Sequence, residues 1–316
     1  MGTRDVAYLN SGQWETTISY RYLHSENLFI GADEQTQVRE AGAEPRHTRH
    51  SIDLSVRYAF NQRFSATLTI PFIHHSTTFP LGGGPRQSIG TGLLLGDIRI
   101  QGGLWLLDPL KHPNGNLAVG LGLKFPTANE NAQVTLATPN GPFTGPADIA
   151  DQPGYGGWDV ILEGRGFHRV YKSIIAYASG FYVFSPRNTN DVEPLASLFN
   201  PNIQFFTSVP DQYGARAGFS FPVWPDKRLS LSAGGRVSGV PMTDLIGGSD
   251  GFRRPGYVVA FEPSVTWSTA ANILTVSAPI ALKRSILTSK LDASLGIQTA
   301  GGQAGFLLLA SYSRLF

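Results

Sequence analysis

Residues 304 to 316, Ala-Gly-Phe-Leu-Leu-Leu-Ala-Ser-Tyr-Ser-Arg-Leu-Phe, leave few folds open to the chain. Phe306, Leu308, Ala310, Tyr312 and Phe316 recur in steps of two and share one face of a strand; Ser311 and Ser313 take the other. Arg314 joins the apolar face, where its stem can lie in lipid while its head reaches water. Such a face must meet either a packed core or a bilayer. The apolar fraction is 41%, yet no run approaches the roughly 18 apolar residues that a membrane helix needs. The other structure able to span lipid is a closed β-barrel, because an open sheet edge would leave backbone groups unpaired in hydrocarbon.

Two function classes fall to composition. A net charge of +2 gives no basic field for nucleic acid. Zero cysteines remove disulfides, thiolate metal sites and cysteine nucleophiles together. Met1-Gly2-Thr3-Arg4-Asp5 is no secretory leader, so export implies a mature region whose signal peptide has been removed.

Alternation continues through the chain in about twelve strands of the length that a tilted membrane strand requires. Trp14, Thr16, Ile18, Tyr20 and Tyr22 oppose Glu15, Thr17, Ser19 and Arg21; Ile52, Leu54, Val56, Tyr58 and Phe60 oppose Ser51, Asp53, Ser55 and Arg57. Phe64 to Phe72, Ile98 to Leu106 and Leu117 to Phe125 repeat the pattern, and further strands fall near 157–167, 172–184, 212–223, 228–239, 256–267, 273–284 and 304–316. The stretch from Ser173 to Phe184 is apolar on both faces and does not reveal its sides. Short connections near 61–63, 108–115, 168–171, 224–227 and 268–272 alternate with long ones near 25–48, 76–91, 126–156, 185–211, 241–255 and 285–303. The expectation is an all-β fold: one transmembrane antiparallel up-and-down β-barrel over 1–316, with short periplasmic turns, long outer loops and both termini on the short-turn side. Aromatics fall near both strand ends, as interfacial belts require.

With the apolar face outward, the lumen receives Glu15, Arg21, Asp53, Arg57, Asp97, Arg99, Lys124, Asp159, Glu163, Arg165, Arg216, Arg236, Glu262 and Lys283. Mixed charges can orient a passing solute or brace a narrow barrel as ion pairs. Ala118, Gly120, Gly122 and Gly234 bare the inner wall, either for a solute or for large side chains opposite. Pro71, Pro222, Pro263 and Pro279 each remove a ladder hydrogen bond; they sit either at bulges or above the membrane. No catalytic, cofactor or metal set emerges. His74 and His75 point to opposite faces, and His47 and His50 also diverge, so convergent ligands are missing. The Gly90-Thr91-Gly92 to Gly96 run precedes a strand rather than a helix, unlike a nucleotide loop.

The closing strand, with Phe306, Leu308, Tyr312 and the final Phe316, resembles the C-terminal strand of bacterial outer-membrane β-barrels. That resemblance implies recognition by the barrel-assembly machinery and an environment of lipid bilayer and lipopolysaccharide. Leu95-Gly96-Asp97-Ile98-Arg99-Ile100-Gln101-Gly102, then Leu117 to Lys124 and Phe125-Pro126-Thr127, resemble the outer-membrane family associated with meta-pathway phenol degradation. Ala128 stands where the family's motif ends in Gly. This resemblance implies a transport barrel without catalytic residues, passing small-molecule solutes, hydrophobic or aromatic compounds included. A surface receptor or polypeptide-secretion conduit is the alternative. An outer-membrane hydrolase would have to use His74 or His75 beside Ser76 and Thr77.

Overall fold

Period-two alternation is carried round a closed ring. The computed structural model describes residues 8–80, 85–138, 140–195 and 204–316. Fourteen strand segments form one antiparallel sheet, and two pairs of them are halves of interrupted strands, so the wall has twelve. These are β1 (Trp14–Ser25), β2 (Arg46–Ala59), β3 (Phe64–Pro80), β4 (Arg86–Leu95 and Arg99–Trp105), β5 (Gly115–Lys124) and β6 (Asp159–Tyr171). They continue as β7 (Ile174–Phe184), β8 (Gln212–Trp224), β9 (Leu229–Val240), β10 (Gly256–Ser268), β11 (Asn272–Ser277 and Ile280–Ile286) and β12 (Phe306–Leu315). Each strand pairs with its neighbours in sequence, and β12 returns to β1. Ile18 lies opposite Tyr312, and Trp14 and Phe316 exchange backbone hydrogen bonds of 2.9 and 3.2 Å at the seam.

Partners across a ladder share a face, so one strand's alternation propagates round the wall. Ile18 pairs with Leu54, Leu68 with Ile100, and Leu121 with Leu162. All six are exposed, while Glu15, Asp97, Asp159 and Glu262 are buried on the inside. An apolar band of this extent belongs in lipid rather than water. Among the described residues no helix is long and apolar enough to cross a membrane.

Aromatics gather where the band ends. Trp14, Tyr58, Phe60 and Phe64 follow one another near the short turns with ring centroids 4.6, 5.0 and 5.3 Å apart. Tyr22 and Phe306, and Phe125 and Trp158, pair near the long loops at 6.0 and 4.8 Å.

Three sequence expectations change. The segment 76–91 is mostly strand, because β3 runs on to Pro80 and pairs with Arg86–Leu95; β2 likewise starts at Arg46, inside the expected 25–48 loop. Lys283 does not line the lumen. A bulge opposite Val259 and Ala260 inserts one residue, and beyond it Lys283 pairs with Val259 on the outer face, its ammonium 5.8 Å from the Tyr257 ring centre. The prolines sit within the wall at irregularities. Pro71 faces the bulge at Gly96–Ile98, Pro222 adjoins a register shift, and Pro279 interrupts β11. Pro263 lies on β10 beside that interruption and accepts the Ala278 N–H at 3.2 Å.

Candidate functional site: the lumen and its outer mouth

Inward side chains on neighbouring strands lie within reach of one another, and in a narrow barrel charges there need partners. Arg57 sits 3.6 Å from Glu15, and Arg99 lies 3.1 Å from Asp53. Lys124 bridges Asp97 at 3.1 Å and Asp159 at 2.5 Å. Arg216 and Arg236 converge on Glu262 at 3.2 and 2.5 Å. Glu163 accepts from Gln101 at 3.3 Å, and the Arg165 guanidinium lies 5.2 Å from the Trp105 ring centre. Arg21 is exposed to the lumen, where it lines a cavity of about 70 Å3 with Ser19, Ser51, Asp53, Thr275, Ser277, Leu309 and Ser311. The wall is charged but mostly braced.

The small inward residues receive large neighbours. A Cβ on Gly122 would strike the Gln101 side chain, one on Gly120 would meet Glu163, and one on Gly234 would meet the Tyr177 hydroxyl at 2.9 Å. Ala118 is fully buried opposite Trp105 and Arg165. Register also settles β7: Ser179 pairs with Arg216 and Arg165, so Ser179, Tyr177 and Phe181 face inward.

Above the lumen the long connection between β5 and β6 forms a strap. Gln133–Thr138 and Gly141–Pro146 make a hairpin, and Val134, Leu136 and Ala147 pack with Ile89 and Phe79 on the outward extension of β3 and β4. Asp97 holds the strap's root by accepting the Ala128 N–H at 3.1 Å. Beyond the hairpin, Asp148 takes two hydrogen bonds from Arg254, just before β10, at 2.5 and 2.7 Å. Three residues on, Asp151 reaches His47 on β2 and Thr77 on β3, while Arg49 donates to the Ala150 carbonyl at 3.1 Å. Since β2 and β10 lie four strands apart round the wall, the strap crosses the mouth. Burial pushes the carboxyls of Asp148 and Asp151 up, but Arg254 on the first and the two histidines on the second outweigh it and hold both below the usual carboxylate range.

Among the described residues two outer half-strands have a ladder on one side only: Arg86–Leu95 of β4, with β3, and Ile280–Ile286 of β11, which leaves a seam beside β12. The lower half of β11 pairs with β12 as far as Ser277 and Leu309; its upper half, Ile280–Ile286, has its ladder with β10 and, in place of β12, meets the segment after β1, where Ile286 donates to the Gly31 carbonyl at 2.8 Å and Phe29 lies against Arg284. Pro263 and Pro279 remove ladder donors where the halves part. The Arg284 guanidinium spans the seam to the Ala304 carbonyl at 3.0 Å. Leu282, at the bulge beside the seam, is 70% exposed. The cavity beside Arg21 lies just below the seam, sharing Ser277 and Leu309.

His47 and His75, which diverge along their own strands, are brought together with Asp151 by the strap. His50 instead bonds Tyr20 at 2.8 Å and stacks near His74. Thr77 is 4% exposed beneath Asp151, and its hydroxyl donates to Asp151 Oδ2 at 2.5 Å. Sequence reasoning missed Arg49, Arg254 and Trp105 as parts of this site. Arg49 was legible, since Arg49, Ser51, Asp53, Ser55 and Arg57 continue one face; Trp105 likewise extends the face of Arg99 and Gln101. Arg254 was not, because no local pattern marks a loop arginine.

No protein-family model and no curated protein matches the chain. Among solved structures, an outer membrane channel from Pseudomonas putida F1 aligns over 100% of both chains at 16% identity with a TM-score of 0.66. The CymD monoaromatic hydrocarbon channel aligns over 98% of this chain and 89% of its own at 10% identity, with a TM-score of 0.46. The P. putida toluene transporter TodX aligns over 98% and 91% at 9% identity, with a TM-score of 0.45. These two scores are too low to argue from. The first shows a shared fold: the chain folds as an outer membrane channel does.

Proposed function

We propose that the protein is a channel of the bacterial outer membrane through which small molecules pass without chemical change. The observation that carries this reading is a strap laid across the mouth of a charge-braced barrel, above a lumen cavity that adjoins a seam in the wall. A receptor needs no cavity beside a seam. Between Thr127 and Tyr155 only Glu130, Asp148 and Asp151 carry charge, and the two aspartates are paired with the wall, so the strap presents little free charge to an entering solute. Uncharged or weakly amphipathic solutes, aromatic compounds included, are the class it admits. The phenol-degradation resemblance supports the same class, and the likeness in fold to an outer membrane channel supports the channel reading alone. Deleting residues 130 to 150 should raise single-channel conductance and small-solute uptake into liposomes while the barrel stays folded. A folded deletion that passes no more than the parent would remove the strap's gating role. If neither passes solute, the receptor reading replaces transport.

The seam favours a second route, in which a hydrophobic solute leaves the lumen sideways into the bilayer. Its distinguishing feature is the absence of ladder pairing between Ile280–Ile286 and β12 among the described residues.

A further inference from the structure

We propose that His47, His75 and Asp151 bind a divalent transition-metal cation of the zinc class, which fastens the strap to the barrel wall. One ligand atom from each, drawn from β2, β3 and the strap, lies within 4.8 Å of the others. Their side chains are 12%, 1% and 3% exposed. Two imidazoles and a carboxylate make the mixed nitrogen and oxygen set that suits zinc and its neighbours; calcium and magnesium prefer oxygen alone. The Thr77 hydroxyl, 2.8 Å from His47 Nδ1 and 2.5 Å from Asp151 Oδ2, closes the fourth side and is placed to hold a metal-bound water.

His75 distinguishes this site from a plain hydrogen-bonded bolt. Its buried Nδ1 comes within 2.5 Å of Asp151 Oδ1 but lacks the alignment of a hydrogen bond. A cation beside the line joining the two atoms would use both lone pairs. Ligand atoms round a tetrahedral zinc stand roughly 3.3 to 3.5 Å apart, given bonds of about 2.0 to 2.1 Å. His47 Nδ1 and Asp151 Oδ1 already stand 3.4 Å apart. His75 has only to withdraw by about the difference. Nearby charge is balanced locally: Asp148 is paired with Arg254, and Arg49 donates to the Ala150 carbonyl beside Asp151.

The site itself is independent of transport, but its effect on conductance rests on the channel reading above. The test uses full-length, tag-free protein in detergent, stripped with chelator and titrated with Zn2+ by calorimetry and with Co2+ by visible absorption. One Zn2+ per chain at micromolar affinity or tighter, with the intense Co2+ bands of a four-coordinate site, is expected. His75→Gln and Asp151→Asn should each weaken binding at least tenfold, whereas His50→Gln and His74→Gln should not. Heat-modifiable migration on a gel confirms that each variant is folded, and the titration of the parent stands whatever the variants do. Absence of stoichiometric binding to the parent overturns the proposal, as does binding that survives His75→Gln combined with Asp151→Asn. Zn2+ should also slow proteolysis of the strap, and unchanged cleavage would refute the fastening. Bound zinc that slows cleavage but leaves conductance alone supports the site and counts instead against gating.

Discussion

Asp148 and Arg254, 106 residues apart, meet through two hydrogen bonds of 2.5 and 2.7 Å that tie the mouth strap to the entry of β10. Asp148→Asn keeps the shape and removes the charge. Hydrogen bonds to charged groups contribute about 1.5 to 3 kcal/mol, so the undocked fraction should rise roughly tenfold or more. Single-channel recordings should show more frequent or larger openings. Arg254→Lys should behave similarly, because an ammonium cannot reproduce the two-pronged contact. Equal conductance in parent and both variants would show that this tie does not hold the mouth.

The same pair sets a pH dependence. Arg254 holds Asp148 below its ordinary value of 3.8, against the opposing effect of burial. A carboxylate depressed in the docked state stabilises that state fully above 3.8 and loses the contribution as pH falls through the depressed value. The conductance difference between parent and Asp148→Asn should therefore be constant from neutrality down to about pH 5, then shrink in stronger acid. A difference that vanishes between pH 7 and 5 would contradict the assignment.

Lipid exposure predicts graded costs. Leu121 lies in mid-strand on the outer face and is 60% exposed, whereas Leu308 pairs with Tyr22 beside the outer aromatic belt. Leu121→Arg should cost about 2 to 4 kcal/mol, and Leu308→Arg only about 0 to 1, because an arginine near the interface reaches water. Urea titration in lipid vesicles measures both. Equal costs would mean that the membrane sits at a different height on the barrel.

The seam between β11 and β12 should respond to its prolines. Replacing Pro263 and Pro279 together by Val restores two backbone donors where the halves of β11 part. If hydrophobic solutes leave sideways, their uptake should fall several-fold in the double variant while ionic conductance through the barrel is unchanged. A parallel fall in both would mean one route serves both kinds of solute. An unchanged uptake would remove the lateral route.

Alternation alone determined the twelve-strand wall, its outer apolar band and most of its inner charges, because side-chain direction in a strand is set by parity and lipid tolerates no exception over a span. Ile18, Leu54, Leu121 and Tyr312 could be assigned from neighbours two residues away. Lys283 could not: parity fails after a bulge, and whether a strand bulges depends on its partner. The split of β4 opposite Pro71 and the continuation of β3 beyond the membrane likewise arise from pairing between strands. The mouth was least legible. His47, His75 and Asp151 meet because a loop from β5 crosses to β2 and β3, and Asp148 finds Arg254 on the far side. Those contacts join residues up to 106 positions apart, where no local period records them, so only the closed ring brings them together.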